Sequence, residues 1–471
     1  MFSLFLAFAL MVTSVLGSSL GTLEVQAAEG TLSGSGTYND PYIIEDAADL
    51  KAFAALLDGN ADNLGICAKV ADGVASIDVS DETWQPMPAN VKDTDGNDAG
   101  YTGVFDGNGA TINLNVDKSA DTSGKNVGLF SIISNGGEVK NVTTDGSITG
   151  KQYVGGICGT NEGTISNCNN KADVKATSYR AGGIAGCCER SGKIQFSGAM
   201  TNSGKINSSG YGYIGGIVGE CNGTIEGTGE LQNTGNIVSG IYDNYTGGIA
   251  GKLGDLGDLG DAAALKVTGE VRNTAEVSGS SYTGGIIGCL ASSSGDLIQI
   301  QAGSILNTGK VTGSNNGNSI GGIIGCIPGG AEISTTTGDI RNTGAKSLDA
   351  SKCPRIEHIH TEGSVLENLT LAETSPINDI SLPATMTSIR FVGLPELTYT
   401  GLSASSGLQI ESMPNVQRLR LETSPKLDAI QMLRDVLASQ TESCKLSMLR
   451  ISNMALKADG SELLALSLIH I

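Results

Sequence analysis

Histidine, tryptophan and positive charge are scarce in this sequence. Three histidines and one tryptophan serve 471 residues, and aromatic side chains make up 4%. A single large aromatic core is excluded, and many small layers of Ile, Val and Ala suit the composition better. Lys and Arg number 29 against 49 Asp and Glu, a formal net charge of -20. That balance excludes nucleic acid as a partner, because such binding rests on neutralising phosphates with Lys and Arg. It argues equally against an anionic membrane surface, and it suits a soluble chain at high local concentration. No H-E-x-x-H occurs, so these residues carry no zinc peptidase of that kind. No C-x-x-C occurs either, which removes the usual zinc and redox motifs.

Long apolar runs are almost absent too. The exception is Phe2 to Leu16, followed by small residues and by Val25-Gln26-Ala27. Small residues at those places are what a signal peptidase admits, so residues 1-27 read as a signal peptide cleaved after Ala27. No basic n-region precedes the run, and Met1 is read as internal to a longer leader. No other span approaches the roughly 18 apolar residues a transmembrane helix needs, so no membrane insertion is expected after removal of the signal. Export would suggest disulfides. The ten cysteines are not spaced like a small disulfide scaffold, and most read as small buried hydrophobes.

What is abundant is glycine. There are 67, roughly twice the ordinary share of about 7%, with no collagen triplet. Gly-Gly pairs begin at Gly155, Gly182, Gly215, Gly247, Gly284 and Gly321, at intervals of 27, 33, 32, 37 and 37 residues. Each pair is followed by Ile and then, two residues later, by another Gly. An Asn recurs before each pair: Asn141, Asn167, Asn202, Asn233, Asn273, Asn307 and Asn342. This is the signature of a stacked repeat. Each unit contains three short apolar pieces, as in Glu270-Val271-Arg272, Ala275-Glu276-Val277 and Gly285-Ile286-Ile287. They are too short for helices and rich in β-branched residues. One such coil cannot bury its own apolar side, whereas stacked coils bury a continuous core. Parallel crossovers are overwhelmingly right-handed, so the fold class expected is all-β, a right-handed parallel β-helix. Glycines are expected to supply positive φ at the corners and to let backbones approach. The recurring Asn is expected to tolerate left-handed backbone and to bond its amide to the Asn one coil away.

The stretch V-G-G-I-C-G-T-N-E-G-T-I-S-N-C, residues 154 to 168, resembles the GLUG repeat of bacterial surface and secreted proteins. The other copies carry the pattern more loosely, and the resemblance covers about residues 127-345. It implies a cell-surface β-solenoid of the kind found in adhesin-like proteins and beside the peptidase domain of some secreted metallopeptidases. It is specific for architecture rather than activity.

Four regions follow: the signal peptide at 1-27, an N-terminal cap at 28-110, the β-helix at 111-345, and a second repeat at 346-471. Within the cap, Glu45 to Leu57 predicts a helix with Leu50, Phe53, Ala54 and Leu57 on one face. The cap's task would be to cover the open edge of the first coil. In the last region prolines recur at Pro354, Pro376, Pro395 and Pro414, and Leu366-Glu367-Asn368-Leu369-Thr370-Leu371 has an L-x-x-L-x-L form. This looks like an irregular, truncated leucine-rich-repeat-like solenoid, with a helix over Asp428 to Gln440. A fusion near residue 345 would also explain the change of rhythm. The last five residues resemble a translated sequencing-adapter tail and are given no functional weight.

Candidate chemistry is sparse. Tyr153, Tyr213, Tyr245 and Tyr282 each stand two residues before a Gly-Gly, and Tyr179 is one residue out of register. Stacked coils would align them as a ladder. An exposed ladder would stack on sugar rings, whereas a packed one needs only its own aromatic contacts. These four tyrosines are the candidate binding residues. Cys187, Cys289 and Cys326 share the place after G-G-I-x-G and are read as a reduced stack; the last two lie in adjacent coils, where a bridge needs Cα atoms within about 7 Å. His358 and His360 share a strand face with Glu357 and Glu362 nearby, two histidines where a catalytic zinc needs three ligands. Asp93-Thr94-Asp95-Gly96-Asn97-Asp98 has its Gly at position 4 and lacks the Glu of a calcium loop, so it reads as a solvated turn. No metal or cofactor is expected. Glycan-cleaving β-helices need clustered carboxylates, and acidic residues here are scattered.

The expectation is therefore a non-catalytic, exported bacterial surface protein, an adhesion or ligand-binding scaffold. Its partner would be a glycan or protein on a host or neighbouring cell, held by repeated weak contacts. The alternative is a non-catalytic scaffold region of a larger secreted enzyme, and a glycan-cleaving enzyme ranks below both.

Overall fold

The computed structural model describes residues 32-121, 124-240, 242, 244-254, 263-291, 298-313, 320-326, 331-335, 340-342, 347-350, 358-360, 367-371, 377-402, 404, 406-410, 412-440 and 443-452. Cleavage after Ala27, Cys353, Glu357, Glu362 and the last five residues lie outside that set.

Among the described residues every strand-to-strand ladder is parallel, and each strand pairs with its counterpart one coil away, as a β-solenoid requires. One coil contributes five short strands rather than the three pieces the sequence suggests. In the coil of Tyr153 they are Gln152–Gly155, Cys158–Asn161, Thr164–Ser166, Asn169–Asn170 and Asp173–Ala176. The first of these belongs to a seven-stranded sheet that also holds Gly212–Gly215 and Asn244–Gly247, called here the tyrosine sheet. The second belongs to another seven-stranded sheet, with Ala185–Cys188 and Val218–Cys221, called the cysteine sheet. The rest join one long sheet of 25 strands.

The core is layered as the composition implies. Along one column of the long sheet the inward residues are Phe105, Val139, Ile165, Ile194, Ile225, Leu265 and Ile300, each paired with the next. Each is almost fully buried. The larger rings gather at the N-terminal end. There Phe53, Tyr101, Phe105 and Phe130 form one cluster with centroids 5.1 to 6.3 Å apart.

Phe53 comes from helix α1, Ala47–Leu57. Asp46 caps it by accepting from Ala48 N at 2.8 Å and Asp49 N at 3.0 Å. Leu50, Phe53 and Leu57 turn into the core, as their spacing predicts. Helix α1 sits beside strands that are already in the long sheet: Tyr42–Ile44 pairs with Ala68–Val70, which pairs with Val104–Asp106. The ladder thus begins well before residue 110.

It also continues past residue 345. Ile340 pairs with Ile359, Ile359 with Ile380, and Ile380 with Leu408. A five-stranded parallel sheet runs alongside, from Ser347–Ala350 to Met448–Ser452. Helix α2, Ala429–Ser439, begins after Asp428, whose carboxylate accepts from Gln431 N. No helix among the described residues is long and apolar enough to cross a membrane.

The glycine pairs work by close approach rather than by positive φ. Gly212 and several loop glycines have positive φ, but none of the paired glycines does. A methyl group on Gly215 would lie 2.1 Å from the Val218 carbonyl oxygen, because the chain folds tightly from the tyrosine sheet to the cysteine sheet. Only a residue without Cβ allows that approach.

The asparagine ladder exists from Asn202 to Asn307 as expected, but Asn170 precedes them in place of Asn141 and Asn167, and the Asn342 side chain lies outside the described set. Asn170 Nδ2 donates to Asn202 Oδ1 at 2.7 Å, Asn202 to Asn233 at 2.8 Å, Asn233 to Asn273 at 2.7 Å and Asn273 to Asn307 at 2.8 Å. Asn141 and Asn167 stand in another column, at a corner, with φ of 54° and 52°. Their amides bond to Asp106 and to the Ser197 N–H instead. The two properties expected of one asparagine are divided between two columns.

Candidate functional site

The tyrosines lie on one face because the strands stack in register. Tyr213 pairs with Tyr245, and Tyr245 with Tyr282. Val154 pairs with Ala181 and Ala181 with Ile214, so the column before them runs Tyr153, Arg180, Tyr213. Tyr179 is out of register, as its spacing indicates, and Arg180 holds the register place. The Tyr179 ring nevertheless enters the row. Successive centroids from Tyr153 through Tyr179, Tyr213, Tyr245 and Tyr282 are 5.9, 5.8, 5.3 and 4.9 Å apart. The first contact is edge-on and the last is stacked at 16°. All five rings are half-buried, and the inner three have a ring neighbour on both sides. Tyr153 holds φ of 53°, which a bulky residue seldom adopts.

Beside the rings runs a second column, on the cysteine sheet. It reads Ile132, Thr160, Cys187, Glu220, Lys252, Cys289 and Cys326. Cys289 and Cys326 are indeed neighbours, but Cys187 is parted from them by a charged pair. Glu220 is buried and accepts from Lys252 Nζ at 2.8 Å and from Arg180 Nη2 at 2.5 Å. Arg180 lies 4.7 Å from the Tyr153 centroid, 4.9 Å from Tyr179 and 5.5 Å from Tyr213. Lys252 Nζ lies 4.9 Å over Tyr213 from the next coil. One carboxylate thus holds two cations against the ring faces, where the π charge attracts them.

The titrations follow from this packing. Burial raises Tyr213, and the Glu220 charge adds to it. Burial raises Tyr153, opposed by Arg180. Burial pushes the Cys187 thiol well above its usual range, although Arg180 beside it pulls the other way. Burial thus favours the protonated hydroxyl at Tyr153 and Tyr213.

A further pair escaped the sequence reading. Tyr211 and Tyr242, on adjacent coils, stack at 4.3 Å and 29°. They are 58% and 42% exposed, more open than the ladder itself. Both lie outside the Gly-Gly register, which is why the motif did not point to them. Glu220 and Lys252 were legible only by aligning the place after G-G-I-x-G.

The other candidates are not members of the tyrosine row. His358 and His360 sit in the strand His358–His360 of the long sheet. The Asp93 loop closes on itself: its carboxylate accepts from the N–H groups of Asp95 and Asn97, and Lys92 pairs with Asp98. Among the described residues no group of three or more His, Cys, Asp or Glu is placed to hold a metal ion.

Comparison with known proteins gives one partial likeness. The chain is 34% identical over 183 residues to a halomucin of Haloquadratum walsbyi (strain DSM 16790 / HBSQ001). The match takes in 38% of this chain and 2% of that protein, so the likeness covers a minor part of the chain and a small part of a much longer protein. No family model matches, and no solved structure matches.

Proposed function

We propose that the chain is a non-catalytic, exported cell-surface scaffold of GLUG-repeat type, which binds a glycan or protein of a host or neighbouring cell. The leucine-rich-repeat-like region past residue 345 extends the same scaffold. The observation that carries this reading is the tyrosine row: five half-buried rings, at spacings of 4.9 to 5.9 Å, along one face of the stack. Such a row offers the same contact at every coil, so a repetitive ligand gains avidity without any single strong site. A sugar or an aromatic side chain would meet the exposed ring edges and hydroxyls, which offer apolar contact and hydrogen bonds together. The parallel stack and the partial match to a halomucin support the scaffold part of the reading.

The test is adhesion of the purified chain to immobilised glycans and to whole cells, with wild type beside Tyr213→Ala/Tyr245→Ala and the exposed-pair variant Tyr211→Ala. Binding should fall at least tenfold in the ladder variant, with circular dichroism showing that it still folds although its melting temperature drops. A folded ladder variant that binds like wild type would sink the reading.

A further inference from the structure

The tyrosine row has a head, and it opens into a basic cleft. Lys125 pairs with Gln152 and Val127 with Val154, so Asn126 takes the place next to Tyr153 in the same column. Asn126 is also a wall of a cleft of about 270 Å³ that lies between the cap and the first coils. Lys92, Lys118 and Lys125 converge there, three of the 29 cations of a chain with net charge -20.

Two of these lysines already have partners, one loosely and one firmly. Lys92 pairs with Asp98, both more than half exposed. Lys118 is mostly buried; it pairs with the half-exposed Asp121 at 3.0 Å and also donates to Gln85 Oε1 in the cleft wall. The exposed Lys92–Asp98 pair contributes little, so a ligand carboxylate displaces Asp98 at small cost. Lys125 is exposed, and no ion pair is seen for it among the described residues. Asn126 Oδ1 accepts from Thr160 at 2.8 Å, and no bond from its Nδ2 is seen among the described residues. The cleft thus presents cations and an amide donor at the end of a row of rings.

We propose that this cleft binds the carboxylate of an acidic sugar, with the following sugars of the same glycan laid along Tyr153 and the rings beyond it. The proposal rests on the adhesion reading and narrows its partner to an anionic glycan. The charge of the whole chain opposes anions, so recognition is local to the cleft, and it weakens as salt screens the lysines.

The experiment is calorimetric titration of the full chain with a galacturonate hexasaccharide, a galacturonate disaccharide, the carboxyl-reduced neutral hexasaccharide and polyglutamate. The acidic hexasaccharide should bind at least tenfold more tightly than the neutral one. Lys118→Gln/Lys125→Gln should weaken both acidic sugars at least tenfold and leave the neutral one unchanged. Tyr213→Ala should weaken the hexasaccharide and spare the disaccharide, which is too short to reach it. The inference is overturned if no acidic sugar binds, if the lysine variant binds as wild type, or if polyglutamate competes as well as the hexasaccharide. Hexasaccharide binding that depends on the lysines but ignores Tyr213→Ala would uphold the cleft and remove the ladder from function, so the two failures are told apart.

Discussion

Gly216 rests directly on Asn233. A methyl group on the glycine would lie 2.4 Å from the Asn233 side chain and 2.1 Å from the Gly248 carbonyl oxygen of the next coil. The same contact recurs between Gly183 and Asn202 and between Gly248 and Asn273. The first glycine of each pair makes the bend, and the second makes room for the amide ladder. This is why Gly-Gly and Asn are written together, coil after coil.

Gly216→Ala therefore overpacks the core against backbone that cannot move, at a cost of about 2 kcal/mol or more. Gly198→Ala is the control, since nothing lies within 4 Å of where its methyl group would stand. Its effect should stay within about 0.5 kcal/mol. Urea midpoints of the two variants measure the difference. Equal midpoints would show that the glycine pairs are not packing devices.

The amide ladder makes a second prediction. Asn233 receives from Asn202 and donates to both Asn273 Oδ1 and the Gly235 carbonyl, all buried. Asn233→Ala leaves several buried polar groups without partners, each at about 1 to 3 kcal/mol. Thr144, at the head of the ladder, makes a single bond to Asn170. Thr144→Val should cost only about 1 kcal/mol. Denaturant titration should rank the central rung well above the end rung; a reversed order would refute a ladder that gains from continuity.

Much of this was legible in the sequence and some was not, for identifiable reasons. The parallel stack, the Asn ladder and both helices follow from spacing alone. Asn167 and Asn170 are three residues apart, and spacing cannot decide which points inward and which turns the corner. The glycines were expected to serve for positive φ, whereas the repeated pairs serve for close approach; a sequence displays glycine without displaying which of its two permissions is used. Glu220 and Lys252 each look like an ordinary solvated charge in their own coil. Only register brings them together, because Glu220 lies 32 residues from Lys252 and a coil away from Arg180. Tyr211 and Tyr242 follow no motif, so nothing in the repeat singled them out.

The buried charge cluster gives a third prediction. Glu220→Ala leaves Arg180 and Lys252 facing each other without a counter-charge, a loss of about 3 to 5 kcal/mol. Arg180→Lys keeps the charge but loses the flat guanidinium that lies among Tyr153, Tyr179 and Tyr213, so it is not a conservative change. If Arg180 and Glu220 act as one unit, a double-mutant cycle on melting should give a coupling of about 1 kcal/mol or more. Additive effects would mean that the contact contributes nothing specific.

The thiols give the last prediction. Cys67, Cys158, Cys168, Cys187, Cys188, Cys221 and Cys289 are buried, and Cys444 is exposed. Burial pushes the Cys168 thiol up to about 12, against a usual value near 9. Thiolate is the reactive form, so these buried sulfurs should resist alkylation of the folded chain at pH 8, while Cys444 reacts within minutes. Peptide mass spectrometry after iodoacetamide treatment reads this directly. The sign of the pH effect follows from the same shift. Between pH of about 9 and 12 the folded chain keeps a Cys168 proton that the unfolded chain has lost, so folded-state stability falls as pH rises through that window. Cys168→Ala should lose less stability than wild type between pH of about 8 and about 10.5, because one thiol no longer contributes to the slope. An identical slope in the two proteins, or rapid alkylation of Cys168 in the folded chain, would mean that the sulfur is not buried as the stack requires.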